Sequence, residues 1–155
     1  MILGLDISTS ITGATILDMN GKMLYNESWD TRNKNKFPNL YQKAKLLKSE
    51  IAKIKKQFNV EQVYIEQSLQ SFRSGFSSAK TLSTLARFNG IISWICVEIL
   101  EIEPEMIAAS SARKSAGIVI KRGDNSKLKS FEFVVDNEPS FVVEYTKKGN
   151  LKPGV

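Results

Sequence analysis

The chain has 155 residues, 42% of them hydrophobic and 25% charged, enough for one globular core without covalent staples. It carries 22 Lys plus Arg against 16 Asp plus Glu, a formal charge of +6, with no His and a single cysteine, Cys96. That composition excludes a His-based nucleophilic triad, a His-ligated zinc site, an intrachain disulfide and a multi-thiolate centre. Residues 1–6 include no basic leader, and their apolar run is too short for a signal peptide. No run approaches the roughly 18 apolar residues of a membrane span. The longest, 91–102, is broken by Ser93, Glu98 and Glu101. The expectation is an intracellular, cytoplasmic protein with no membrane partner and an acidic ligand. Its chemistry must come from carboxylates, lysines, hydroxyls or a metal bound by oxygen.

Residues 2–7 read as a short strand carrying Asp6 near its end, followed by Ser8-Thr9-Ser10. Residues 12–17 resume a strand pattern, Asn20-Gly21 signals a tight hairpin, and 23–29 return as a third strand, so the chain opens with a three-stranded antiparallel meander. Phe37, Leu40, Tyr41, Ala44, Leu47, Ile51, Ile54 and Phe58 then recur at helical spacing, with Pro38 where a first turn tolerates it. Residues 62–66 form a strand ending in Glu66. A polar, Gly-containing loop over 67–77 leads to a long helix over 78–100. The second half of that helix is apolar nearly all round and needs cover from the sheet, a second subunit or both. Trp94 and Cys96 on it read as core or interface residues. Pro104 precedes a short fifth strand over 106–109. Two short helices, 110–117 and 125–135, flank the basic loop Lys121-Arg122-Gly123-Asp124, and 141–145 alternates like a strand. The pattern is one α/β domain of five strands with flanking helices.

The positive charge is local. Residues 31–60 hold nine basic residues and one acid, Glu50; residues 111–155 hold nine more against five acids. Such concentration suits a polyanion such as nucleic acid, although a lysine-rich solvated helix face has the same composition. Asp6 and Glu66 each close an apolar strand. Converging carboxylates, with no His or Cys to join them, suit a hard cation such as Mg²⁺, and a carboxylate–metal site in a basic surface is what phosphodiester cleavage requires. Each acid alone is equally compatible with a turn or a solvated strand end.

Ile2-Leu3-Gly4-Leu5-Asp6-Ile7-Ser8, Val63-Tyr64-Ile65-Glu66-Gln67 and Ser77-Ser78-Ala79-Lys80-Thr81-Leu82, continuing to Ala86-Arg87-Phe88-Asn89-Gly90, resemble the RuvC-like Holliday-junction resolvases of the RNase H-like superfamily. Ala112-Arg113-Lys114 and the late Tyr145-Thr146-Lys147-Lys148-Gly149-Asn150 are similar to the phage-encoded branch. The resemblance implies one RNase H-like nuclease domain over 1–155, built on a mixed five-stranded sheet with Asp6 and Glu66 on its first and fourth strands. It also implies paired nicking of four-way or other branched DNA, metal binding by Asp6 and Glu66 with Mg²⁺ or Mn²⁺, and a homodimer through the 78–100 helix. Leu69, Phe72 and Arg73 match the segment that reaches the crossover; Phe72 and Phe76 could equally cover the helix. Lys121, Arg122 and Lys127 match the basic stretch that flanks the family's cleavage site, and Lys80 is a further candidate DNA contact. The family completes its metal site with acids on a C-terminal helix. Asp124, Asp136, Glu138 and Glu144 lack that setting, so further acids are expected past Val155, with the 155-residue form a poor nuclease without them. Two other classes stay open. A non-catalytic junction-binding protein needs only the basic surface and the dimer. An ATP-binding fragment of the actin and sugar-kinase superfamily would share the Gly4-to-Ser10 hairpin, but the chain is short for two lobes and has no second phosphate-gripping hairpin.

Overall fold

The computed structural model describes residues 1–67 and 79–151. In chain order the elements are β1 (Ile2–Asp6), β2 (Ile11–Leu17), β3 (Met23–Asp30), α1 (Leu40–Gln57), β4 (Gln62–Glu66), α2 (Ala79–Leu100), β5 (Glu105–Ile107), α3 (Ala109–Ser115) and α4 (Ser126–Asn137). The strands form one mixed sheet in the order β3-β2-β1-β4-β5. β1 runs antiparallel to β2 and parallel to β4, which is parallel to β5. The N-terminal meander and the five-stranded mixed sheet are as the sequence leads one to expect.

Period-two alternation assigns the faces. Leu3 and Leu5 of β1, Thr12, Ala14 and Ile16 of β2, and Val63 and Ile65 of β4 are buried on one side. Ala44, Leu47, Ile51 and Ile54 of α1 and Phe88, Ile92, Ile95, Cys96 and Leu100 of α2 pack into the same cluster. Each large side chain there contributes roughly 1.5–3 kcal/mol by leaving water. Two exposed ion pairs, Lys48–Glu98 at 2.9 Å and Lys55–Glu101 at 3.1 Å, bridge the two helices. Asp6, Glu66, Gly4 and Tyr64 take the opposite face by the same alternation. That face is only partly covered: α4 has no buried residue, although Phe131 and Val134 are half-buried against it.

Several boundaries differ from the sequence reading, each for a local reason. α1 begins at Leu40 because Asn39 caps it, its Oδ1 accepting from the N–H groups of Tyr41 and Gln42 at 3.0 Å each; Pro38 therefore lies outside the helix. β5 is Glu105–Ile107, starting one residue and ending two residues earlier than expected, because Glu105 pairs with Tyr64 and Ile107 with Glu66. The 141–145 segment forms no strand. Phe141 turns onto Phe131 in an edge-to-face contact at 6.5 Å, Val142 is 75% exposed, and a lone bridge joins Tyr145 to Leu151. Alternation without a neighbouring edge to pair with does not make a strand. Cys96 lies in the core, but Trp94 is 65% exposed, so within one chain it is not a core residue. α2 has the length and composition to cross a membrane, yet Lys80, Arg87 and Glu98 interrupt it and its Phe88–Ile92–Cys96 side is seated in the core.

Candidate functional site

Asp6 and Glu66 stand at the C-terminal ends of adjacent parallel strands, one step past the Leu5–Ile65 register pair. Parallel neighbours keep the same facing, and strand axes lie about 4.8 Å apart, so the two carboxylates rise side by side from one face. Both backbones are fixed. Asp6 pairs with Gly13 of β2, and Glu66 pairs with Ile107 of β5, where the Gln67 N–H also donates to the Ile107 carbonyl at 2.8 Å. Gly13 keeps the neighbouring position bare: a Cβ there would lie 3.9 Å from the Asp6 Cβ, so a long side chain would compete with the carboxylate for space.

The two acids open into a cleft of about 1110 Å³ bounded by the free face of the sheet and by α3 and α4. Solvent reaches both side chains, but the walls strip enough water to raise both acids. Desolvation lifts Asp6 above its ordinary pKa, with the Lys127 ammonium pulling the other way. Glu66 is lifted first by desolvation and second by the negative charge of Asp6, while Arg113 and Lys127 draw it down. Two mutually repelling, partly dehydrated carboxylates are the electrostatic condition for binding a cation. Hard cations such as Mg²⁺ are commonly held by one or two carboxylates plus substrate phosphates and water. The donor set therefore fits such an ion. Among the described residues no group of three acids lies close enough to share one.

Lys127, in the first turn of α4, lines the cleft, and its charge acts on both acids. Asn125 caps that helix, accepting from the Lys127 and Leu128 N–H groups at 3.1 and 3.2 Å, and so sets the direction in which Lys127 leaves the backbone. Lys121 and Arg122 are exposed on the turn before it, which the Asp124 carboxylate closes by accepting from the Lys121 N–H at 2.8 Å. Lys80 is exposed in the first turn of α2. Leu69, Phe72, Arg73 and Phe76 lie outside the described residues. Of the late acids, Glu138 lines the cleft, and Glu132, to be counted with them, pairs with Lys129 at 3.2 Å. The residue the sequence reading left without a role is Arg113. It is half-buried in the cleft wall, its Nε is buried without a hydrogen-bond partner among the described residues, and its charge acts on Glu66. Its position in Ala112-Arg113-Lys114, just after the fifth strand, was the available signal.

The chain matches no protein-family model and no curated protein sequence. Solved structures do match it. The RuvC of Thermus thermophilus in complex with a Holliday-junction substrate superposes with a TM-score of 0.61 at 12% identity, over 87% of this chain and 94% of that one. A second Thermus thermophilus RuvC structure gives 0.59 at 13% identity, over 87% and 78%. The yeast mitochondrial Holliday-junction resolvase Ydc2 gives 0.56 at 13% identity, over 87% and 60%. At such identities the likeness is one of fold. The architecture is the mixed five-stranded α/β fold of these RuvC and Ydc2 structures.

Proposed function

We propose that the chain is a divalent-metal-dependent endonuclease acting on branched DNA, four-way junctions above all, that residues 1–155 belong to one nuclease domain, and that acids past Val155 complete its metal site. The observation that carries this reading is the pairing of Asp6 and Glu66 on adjacent parallel strands beside Lys127 and Arg113. The Thermus structure bound to a Holliday junction supports the choice of DNA substrate.

Asp6 and Glu66 would hold the ion, Mg²⁺ or Mn²⁺. When bound, such an ion neutralises charge on a phosphate and makes water more acidic. The chain's own residues do the rest. The backbone of each acid is held by a ladder partner, Gly13 for Asp6 and Ile107 for Glu66. Lys127 and Arg113 bring positive charge to the wall, where they hold a scissile phosphate against the carboxylate pair and offset charge developing on its oxygens. Lys80, Lys121 and Arg122, with Leu69, Phe72 and Arg73, serve the flanking DNA. A second copy docks on the exposed Ala86–Gly90–Trp94 side of α2, which places two sites for paired nicks.

The test uses Asp6→Asn and Glu66→Gln on a synthetic four-way junction. Both variants are expected to lose Mg²⁺- or Mn²⁺-dependent cutting and keep junction binding. A wild-type protein that retains junctions with either ion and never cuts them would establish a non-catalytic binder instead.

A further inference from the structure

The nine basic residues between 31 and 60 take no part in the site described above. The segment that opens this run is nevertheless tied to the carboxylate end of the sheet. Thr31 is 1% exposed and donates its N–H to the Ser10 carbonyl at 2.8 Å. Its hydroxyl lies 3.1 Å from the Ser10 carbonyl and 3.3 Å from that of Thr9. The Lys43 ammonium donates to the same Thr9 carbonyl. Thr9 and Ser10 belong to the turn that leaves β1 just after Asp6, and β3 ends opposite Ile11 at that same end of the sheet. The β3–α1 segment and the start of α1 therefore sit on the rim that carries Asp6 and Glu66, on the β3 side of them.

This rim presents charge outward in a fixed shape. Asn33 Oδ1 accepts from the N–H groups of Asn35 and Lys36 at 3.0 and 3.1 Å, and Phe37, 8% exposed, anchors the turn. Along α1 the lysines divide. Lys48, Lys53 and Lys55, on the half away from the rim, are paired with Glu98, Glu50 and Glu101; among the described residues Lys56 alone there has no ion pair. Arg32 is taken by Asp30. Lys34, Lys36 and Lys45, at the rim, are exposed and in no ion pair among the described residues. The first turn of α1 contains no acid to balance them, and Tyr41, 62% exposed, lies one turn before Lys45. A merely solvated helix face would mix signs throughout, as the far half does. Here uncompensated charge and an exposed aromatic ring collect at the carboxylate end.

We propose that Lys34, Lys36, Tyr41 and Lys45 form a second phosphate-binding track, which holds a DNA duplex arm leaving the carboxylate pair on the β3 side. The inference rests on the nuclease reading for the identity of the polyanion as duplex DNA. Lys34, Lys36 and Lys45 take backbone phosphates without reading sequence, and Tyr41 packs on the sugar edge.

The experiment compares a Lys34→Gln/Lys36→Gln/Lys45→Gln variant with its parent, both carrying Asp6→Asn to prevent cutting. Each is titrated with a four-way junction and a linear duplex over a series of salt concentrations. The expected result is a slope of log K against log salt shallower by about 2 to 3. Affinity for both DNAs falls on the order of 100-fold at ~0.1 M salt. Tyr41→Ala is expected to weaken binding with the slope intact, since the ring carries no charge. A parent that binds DNA with a slope the triple variant shares overturns the track and leaves the nuclease reading standing. A parent that binds duplex without preferring junctions overturns the junction assignment, while the slope still judges the track. A parent that binds neither overturns both. Triple-variant loss of poly-glutamate binding with undiminished DNA binding assigns the surface to an acidic protein and overturns the proposal.

Discussion

The Thr9 carbonyl has two donors within reach, the Thr31 hydroxyl at 3.3 Å and the Lys43 ammonium, and this redundancy makes a quantitative prediction. Thr31→Val keeps shape and removes the hydroxyl. The Ser10 carbonyl retains the Thr31 N–H at 2.8 Å and the Thr9 carbonyl retains Lys43, so no acceptor is orphaned. The cost is that of one net hydrogen bond, about 1 kcal/mol. Lys43→Met leaves the Thr31 hydroxyl free to serve Thr9, again at about 1 kcal/mol. The double variant leaves a part-buried carbonyl unpaired and adds a desolvation penalty of about 1 kcal/mol, for a total near 3 kcal/mol. At ~2–4 °C per kcal/mol for a domain of this size, Tm falls by roughly 6–12 °C. Urea unfolding of the four proteins measures the coupling directly. Additivity within ~0.5 kcal/mol would show that the two donors do not share this acceptor, and the tether between the basic rim and the turn after Asp6 would have to be abandoned.

Other expectations concern the pair, the core and the helix surface. Asp6 and Glu66 hold protons more tightly folded than unfolded, so stability falls as pH rises through the interval from their ordinary values, 3.8 and 4.5, to the raised folded ones. Asp6→Asn and Glu66→Gln should therefore each raise Tm at pH 7 in a chelator, with the gain vanishing below about pH 4; a lowered Tm at pH 7 contradicts the electrostatic account. Phe88 is 0% exposed, and Phe88→Ala should cost about 3–5 kcal/mol by denaturant unfolding; a loss under ~1.5 kcal/mol would mean the α2 core is loosely packed. Trp94→Glu should convert the proposed dimer to a monomer in sedimentation analysis, with stability of the monomer changed by no more than ~0.5 kcal/mol; a monomeric parent or an unchanged mass overturns the proposed interface. Burial pushes the Cys96 thiol up to about 12, so the native protein should resist thiol reagents at pH 8; rapid labelling would expose an opening of α2 from the sheet.

The elements most legible in the sequence were those whose pattern is enforced by burial. The stripe from Leu40 to Ile54 and the alternation of Leu3 and Leu5, or Val63 and Ile65, reflect a single apolar face meeting a single core, and the elements followed. Asp6 and Glu66 were visible as acids ending apolar runs, but their adjacency was not, since it depends on β4 crossing over to pair with β1 rather than with β3. The 141–145 segment misled because alternation reports a half-buried surface and says nothing of a partner strand. Arg113 was legible only as part of a motif, and Lys127 only as a candidate DNA contact. Their convergence on Glu66 arises where α3 and α4 return over the open face of the sheet, a tertiary placement with no local signature.

The chain leaves β1 toward β2 on one side and leaves β4 toward β5 on the other. Asp6 and Glu66 thus occupy the topological switch point, where departing connections diverge and leave a crevice at the carboxyl ends of the strands. Either connection can be lengthened, trimmed or replaced without its neighbour's backbone being pulled along. The two acids stay put while whatever approaches them is free to change, so in a nuclease of the proposed kind substrate range is expected to evolve faster than chemistry.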